Sequence, residues 1–165
     1  MTSVTLAQGY FEKARKRMRA LGTLFEDEAY SDVVREAQEL VELILKGILR
    51  FVGVEPPKQH DVGRLLVQHR ERLPVPVAAA ADRLAEISHR LRKEREFAFY
   101  GDEDFIPTEE YSREEAEAAL GDARFAASFI DAFEAGRKQS AAATSDADLS
   151  ERAGDTAPKP PQGKD

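Results

Sequence analysis

Four cations crowd one short stretch of this chain, Arg90, Arg92, Lys93 and Arg95, and three aromatic residues follow, Phe97, Phe99 and Tyr100, before Gly101-Asp102. Guanidinium forks match the geometry of phosphate oxygens, so such a helix end suits a phosphate-bearing ligand. The three aromatic rings cannot all face one core direction. Part of that surface is therefore left for a subunit contact or a ligand pocket rimmed by arginines, unless the helix end packs beneath the following loop. Arg92, Arg95, Tyr100 and Asp102 form the candidate phosphate-binding set. A second basic group, Lys13, Arg15, Lys16, Arg17 and Arg19, lies near the N-terminus; it reads equally well as a solvated helix face.

Acid–base chemistry has few candidates. His89 precedes Arg92 by three residues, so the two share a helix side. His60 sits in the turn Pro56-Pro-Lys-Gln-His60-Asp61, and His69 ends a short apolar stretch. No two histidines have metal-ligand spacing, and Asp102-Glu-Asp104 lacks the glycine and oxygen-ligand pattern of a calcium loop, so no metal is expected. Cysteine is absent, which removes thiolate zinc sites, cysteine nucleophiles and disulfides together. The glycines are scattered and form no phosphate loop, and no cofactor is expected.

The elements that must position these residues read as helices. Leu6, Tyr10, Ala14, Met18, Leu21 and Phe25 recur at helical steps. A second helix follows, with Ser31 or Asp32 as its cap and Val33, Ala37, Leu40, Val41, Ile44, Leu45, Ile48 and Val52 as a wide apolar face; Pro56-Pro57 stops it. Asp61 caps a short third helix with Val62, Leu65, Leu66 and His69. After Pro74-Val-Pro76 comes a fourth, with Leu84, Ile87, Leu91 and Ala98. Ser112-x-x-Glu115 is a capping box before a last helix repeating Ala116, Ala119, Ala123, Ala126, Ile130 and Phe133, with Gly136 as its C-terminal cap. No segment alternates with the two-residue period of a strand. The expected fold is all-α, an up-and-down antiparallel four-helix bundle with one extra short helix, over residues 1–136. Residues 137–165 hold a single large aliphatic residue, Leu149, and end in APKPPQGKD, the composition of a disordered C-terminal tail.

The chain has 165 residues, 42% of them hydrophobic and 33% charged, and a net charge of −7. That length is enough to bury a core. The charge is polarised: residues 102–117 hold eight carboxylates and one arginine, whereas residues 1–101 carry 17 basic and 15 acidic side chains. The acidic total therefore does not exclude a phosphate-bearing partner. No stretch approaches the length of a membrane span, and MTSVTLAQGY lacks the basic-then-apolar order of a secretory signal, so a cytoplasmic location is expected.

In order and spacing these segments resemble the HEPN domain family over about residues 4–135. The resemblance rests on the opening amphipathic helix and Tyr30 leading into Val34-Arg-Glu-Ala-Gln38-Glu-Leu-Val-Glu42-Leu-Ile-Leu-Lys46-Gly-Ile-Leu49. It continues through Pro56-Pro-Lys-x-His60-Asp61 with Leu65-Leu66, then the arginine-bearing fourth helix, its aromatic turn and the alanine-rich last helix. It implies a dimerising helical bundle of the kind found as metal-independent ribonuclease toxins and as partners of small nucleotidyltransferases in toxin–antitoxin-like modules. The ribonuclease members carry an arginine followed, after four to six residues, by histidine. Arg95 matches that arginine, but the histidine positions fall on Tyr100, Gly101 and Asp102. A phenol with a pKa near 10 is only about a thousandth ionised at neutral pH, so Tyr100 is a poor base. The resemblance thus implies the branch without the ribonuclease motif, a homodimer associated with a nucleotide or RNA and with a nucleotidyltransferase. The alternatives are a ribonuclease using Arg95 with Tyr100 or His89, and a purely structural dimer.

Overall fold

The computed structural model describes residues 3–56, 62–100 and 111–153; within these, the side chains of residues 3, 94–100, 134 and 136–153 lie outside the description. The elements are α1 (Ser3–Glu26), α2 (Tyr30–Phe51), α3 (Val62–Gln68), a 3-10 turn (Arg70–Arg72), α4 (Val75–Tyr100) and α5 (Arg113–Ala153), and there is no strand among the described residues. The chain divides into two compact units, Met1–Ile130 and Asp131–Asp165. The first holds α1 to α4 and the opening turns of α5. The second begins within α5, whose backbone stays helical through Gly136 to Ala153 rather than stopping at a glycine cap. Alanines 141–143 follow that glycine, and their high helix propensity gives no local reason to stop.

In the first unit α2 is the central helix, packed on α1, α3 and α4. Its apolar face is as the sequence indicates: Val33, Ala37, Leu40, Val41, Ile44, Leu45 and Ile48 are all buried. The inward stripe of α1 lies one residue over from Leu6 and Tyr10, on Ala7, Phe11, Ala14 and Leu21. Leu6, Tyr10, Met18 and Phe25 are half-buried at its margins. Phe11 decides this register, since its ring lies against Gly47 of α2, where an added Cβ would stand 2.6 Å from it.

Both helices of this hairpin end in the same hydrogen-bonded hook. At the end of α1, Ala29 N–H donates to Leu24 O (3.0 Å) and Glu28 N–H to Phe25 O (3.1 Å). At the end of α2, Val54 N–H donates to Leu49 O (2.9 Å) and Gly53 N–H to Arg50 O (3.1 Å). The left-handed residue is Glu28 (φ 59°) in the first and Gly53 (φ 77°) in the second. The first hook leads directly into α2, which therefore begins at Tyr30. Ser31 and Asp32 fall inside the helix and supply no side-chain cap; Asp32 instead pairs with Arg35 at 3.0 Å.

The antiparallel arrangement continues through α3, α4 and α5. Gly63 of α3 lies so close to α4 that a Cβ there would stand 2.7 Å from the Ala85 Cα. Helix α4 opens with Val77 and Ala78 N–H donating to Pro74 O (2.9 Å each), and Pro76 falls in the first turn, where no N–H is needed. It buries Val77, Ala81, Leu84, Ile87 and Leu91. The capping box of α5 is formed: Ser112 N–H donates to Glu115 Oε2 (2.8 Å) and Glu115 N–H to Ser112 Oγ (3.2 Å). Ala116, Ala119, Leu120, Ala123, Ala126 and Ile130 follow as its buried face.

Candidate functional site

The C-terminal half of α4 carries the candidate site. Leu91 is buried, and its neighbours His89, Arg90, Arg92 and Lys93 are all exposed. One helical turn thus anchors itself by a single leucine and turns three cations and an imidazole outward. His89, Arg92 and Lys93, at spacings of three and four, share one exposed strip. Arg90 is drawn the other way, into an ion pair with Asp122 of α5. Two turns toward the N-terminus, Arg83 lies over the Phe125 ring at 3.7 Å, and Phe125 meets Phe129 edge-on at 5.3 Å. These interactions fix α4 against α5 and leave the Arg92 strip on the open side.

Arg95 and Tyr100 belong to the last turns of α4, and their side chains lie outside the described ones; Asp102, His60 and Asp61 lie outside the described residues altogether. His69 follows the end of α3, half-buried, and closes a turn: its N–H donates to Leu65 O and its carbonyl accepts from Arg72 N–H, both at 3.0 Å. No group of three or more metal-ligating side chains occurs among the described residues.

The basic group of α1 is engaged differently. Arg17 reaches across to α2 and donates to Glu36 and to Glu39 (2.7 Å). Burial acts to lower the Arg17 pKa, yet the attraction and hydrogen bonds of the two carboxylates outweigh it and hold the guanidinium above its ordinary value. Lys16 pairs with Glu12 at 2.9 Å; that hydrogen bond first, and the lysine charge second, hold the Glu12 carboxyl below the usual range.

Composition alone does not single out Gln38, the one buried polar side chain among the described residues. Its amide donates to Glu42 Oε2 at 3.0 Å, while Lys46 holds Glu42 Oε1 at 2.5 Å. The sequence signal is a Gln-x3-Glu-x3-Lys run on one helix side, visible only once that side is known to border α1.

No helix among the described residues is long and apolar enough to cross a membrane. No curated protein and no solved structure matches the chain. The HEPN domain model matches residues 7–132, which takes in α1 to α4, the described opening of α5 and the Arg92 strip. With its five-helix order and most of its length accounted for by that one model, the chain belongs to the HEPN domain family.

Proposed function

We propose that this HEPN bundle is a non-catalytic, nucleotide- or RNA-associated homodimer that works in the cytoplasm beside a small nucleotidyltransferase, in a toxin–antitoxin-like module. The observation that carries the reading is the exposed Arg92–Lys93 strip on α4, next to a family arginine position, Arg95, with no histidine four to six residues beyond it. Cations in that setting bind phosphate, and with no histidine at the family's motif position they bind it without cleaving. Tyr100 and Asp102, which follow this strip in the sequence, would add to the phosphate-binding set.

A second reading keeps catalysis, because His89 is exposed one turn before Arg92 and an imidazole can accept and donate a proton. One assay separates the two. The purified protein, incubated with structured and single-stranded RNA with and without chelator, is expected to leave the RNA intact. Cleavage that disappears in Arg95→Ala or His89→Ala would overturn the non-catalytic reading. Binding is the positive arm: Arg92→Ala and Lys93→Ala should each weaken single-stranded RNA binding. Each should also reduce its salt dependence, by roughly 0.7 in the log–log slope for every phosphate no longer neutralised.

A further inference from the structure

A shallow pocket of about 220 Å³ lies between α1 and α2, lined by Lys13, Arg17, Glu39, Glu42, Leu43 and Lys46. Its two carboxylates are already committed. Both Glu42 oxygens are engaged, one by Lys46 and the other by the buried Gln38, and Glu39 accepts from Arg17. Its donors are not used up. Lys13 is exposed and has no ion-pair or hydrogen-bond partner among the described residues. An ammonium carries three N–H donors, so Lys46, which gives one to Glu42, has others to offer. The lining is therefore rich in spare donors and nearly saturated in acceptors, over a half-buried leucine floor. An acceptor-only group of high charge density fits that balance, and a further cation does not.

We propose that this pocket binds the phosphate group of a small ligand, seated between Lys13 and Lys46, with Arg17 held rigid at one end by Glu36 and Glu39. The Gln38–Glu42–Lys46 chain fixes the lysine for this purpose. Lys13, which has no carboxylate partner among the described residues, supplies the attraction that the other lining cations direct at their neighbours. The site is separate from the α4 strip and stands on different residues, so it does not depend on the function proposed above.

The test is calorimetric titration of the full chain at low ionic strength with inorganic phosphate in one arm and adenosine monophosphate in the other. Saturable binding in either arm supports the site; a tighter second arm identifies a phosphate ester as the ligand, and equal arms identify free phosphate. Lys13→Gln, an exposed position whose variant should keep the wild-type circular dichroism and melting temperature, is expected to weaken binding at least about tenfold. Arg72→Gln, an exposed cation outside both basic sites, should leave it unchanged. No saturation, the same heat from sodium chloride at matched ionic strength, an unaltered Lys13→Gln, or loss of binding in Arg72→Gln would each overturn the proposal.

Discussion

Two basic helices of this bundle meet different surroundings. On α1, Arg17 faces Glu36 and Glu39 of the central helix, and the trio is largely withdrawn from water, with side-chain exposures of 28%, 19% and 35%. On α4, Arg90 pairs with Asp122 of α5 and remains 44% exposed, and Arg92 and Lys93 are exposed as well. The two clusters look alike in the sequence. What separates them is the facing helix: α2 brings two glutamates, one turn apart, to the same arginine, whereas α5 brings Asp122 to Arg90. A cation is drawn further into the fold when two carboxylates of the facing helix converge on it.

The same contrast runs through the glycines that let the helices approach, and this gives the largest expected effect. Gly63→Ala drives a methyl into the backbone of α4 at Ala85, which cannot yield without moving the helix. It should cost about 2 kcal/mol in urea unfolding, after allowing for the better helix propensity of alanine. Gly47→Ala meets the edge of the Phe11 ring at a slightly shorter distance, yet a ring can tilt. About 1 kcal/mol is expected there. Equal losses would mean that the α3–α4 crossing is no more rigid than the α1–α2 hairpin.

Next in size comes the charge comparison itself. Arg17→Met strands two half-buried carboxylates and should lower stability by about 1–2 kcal/mol. Arg90→Met removes one cation that is 44% exposed from one carboxylate that is 16% exposed, and should cost less, about 1 kcal/mol or below. A double-mutant cycle of Arg17→Met with Glu39→Gln should recover part of the loss, because the pair is then removed together. If Arg90 proves the costlier residue, the division between cations held by the fold and cations at the surface fails.

Much of this fold is legible in the sequence because helical periodicity and stop signals are local properties. The α2 face, the capping box at Ser112 and the α4 leucines follow directly from spacing. Three features are not legible, each for a non-local reason. The α1 stripe keeps Ala14 and Leu21 but takes Ala7 and Phe11 in place of Leu6 and Tyr10, because Phe11 fits Gly47 on the neighbouring helix. Ser31 and Asp32 lose the cap to a turn set by Glu28 at the previous helix end. Arg17 is taken up by Glu36 and Glu39 only because the hairpin register brings them together. The candidate site divides the same way: His89, Arg92 and Lys93 are legible as one strip, while the diversion of Arg90 to Asp122 needs α5 in place.

The helix ends give a smaller and opposite effect. Glu28 holds a left-handed backbone that Gly53 holds at no steric cost in the matching hook of α2. Glu28→Gly should therefore raise stability by about 0.5 kcal/mol, less than the strain relieved because glycine also loosens the unfolded chain. The same replacement at a right-handed position of α1 should lower it.

The smallest effect isolates what an ion pair does when nothing buries it. Glu12 and Lys16 lie on the open side of α1, with side chains 70% and 65% exposed, unlike the Arg17 trio one residue further along. Lys16 holds the Glu12 carboxyl below its ordinary value, by hydrogen bond and then by charge. A lowered folded-state pKa means that the pair's contribution is present above the ordinary carboxylate range, about 4.3 for glutamate, and is lost as pH falls through the lower folded value. A carboxyl-detected NMR titration should find Glu12 titrating below its value in Lys16→Met, with the difference shrinking as salt is added. Mutation of Lys16 should hardly move the melting temperature at neutral pH, whereas Arg17→Met should move it by several degrees. A Glu12 titration that ignores both salt and Lys16 would show that the exposed pair is not formed in solution. The contrast would then lie between a paired helix interface and a bare one, with no graded case between them.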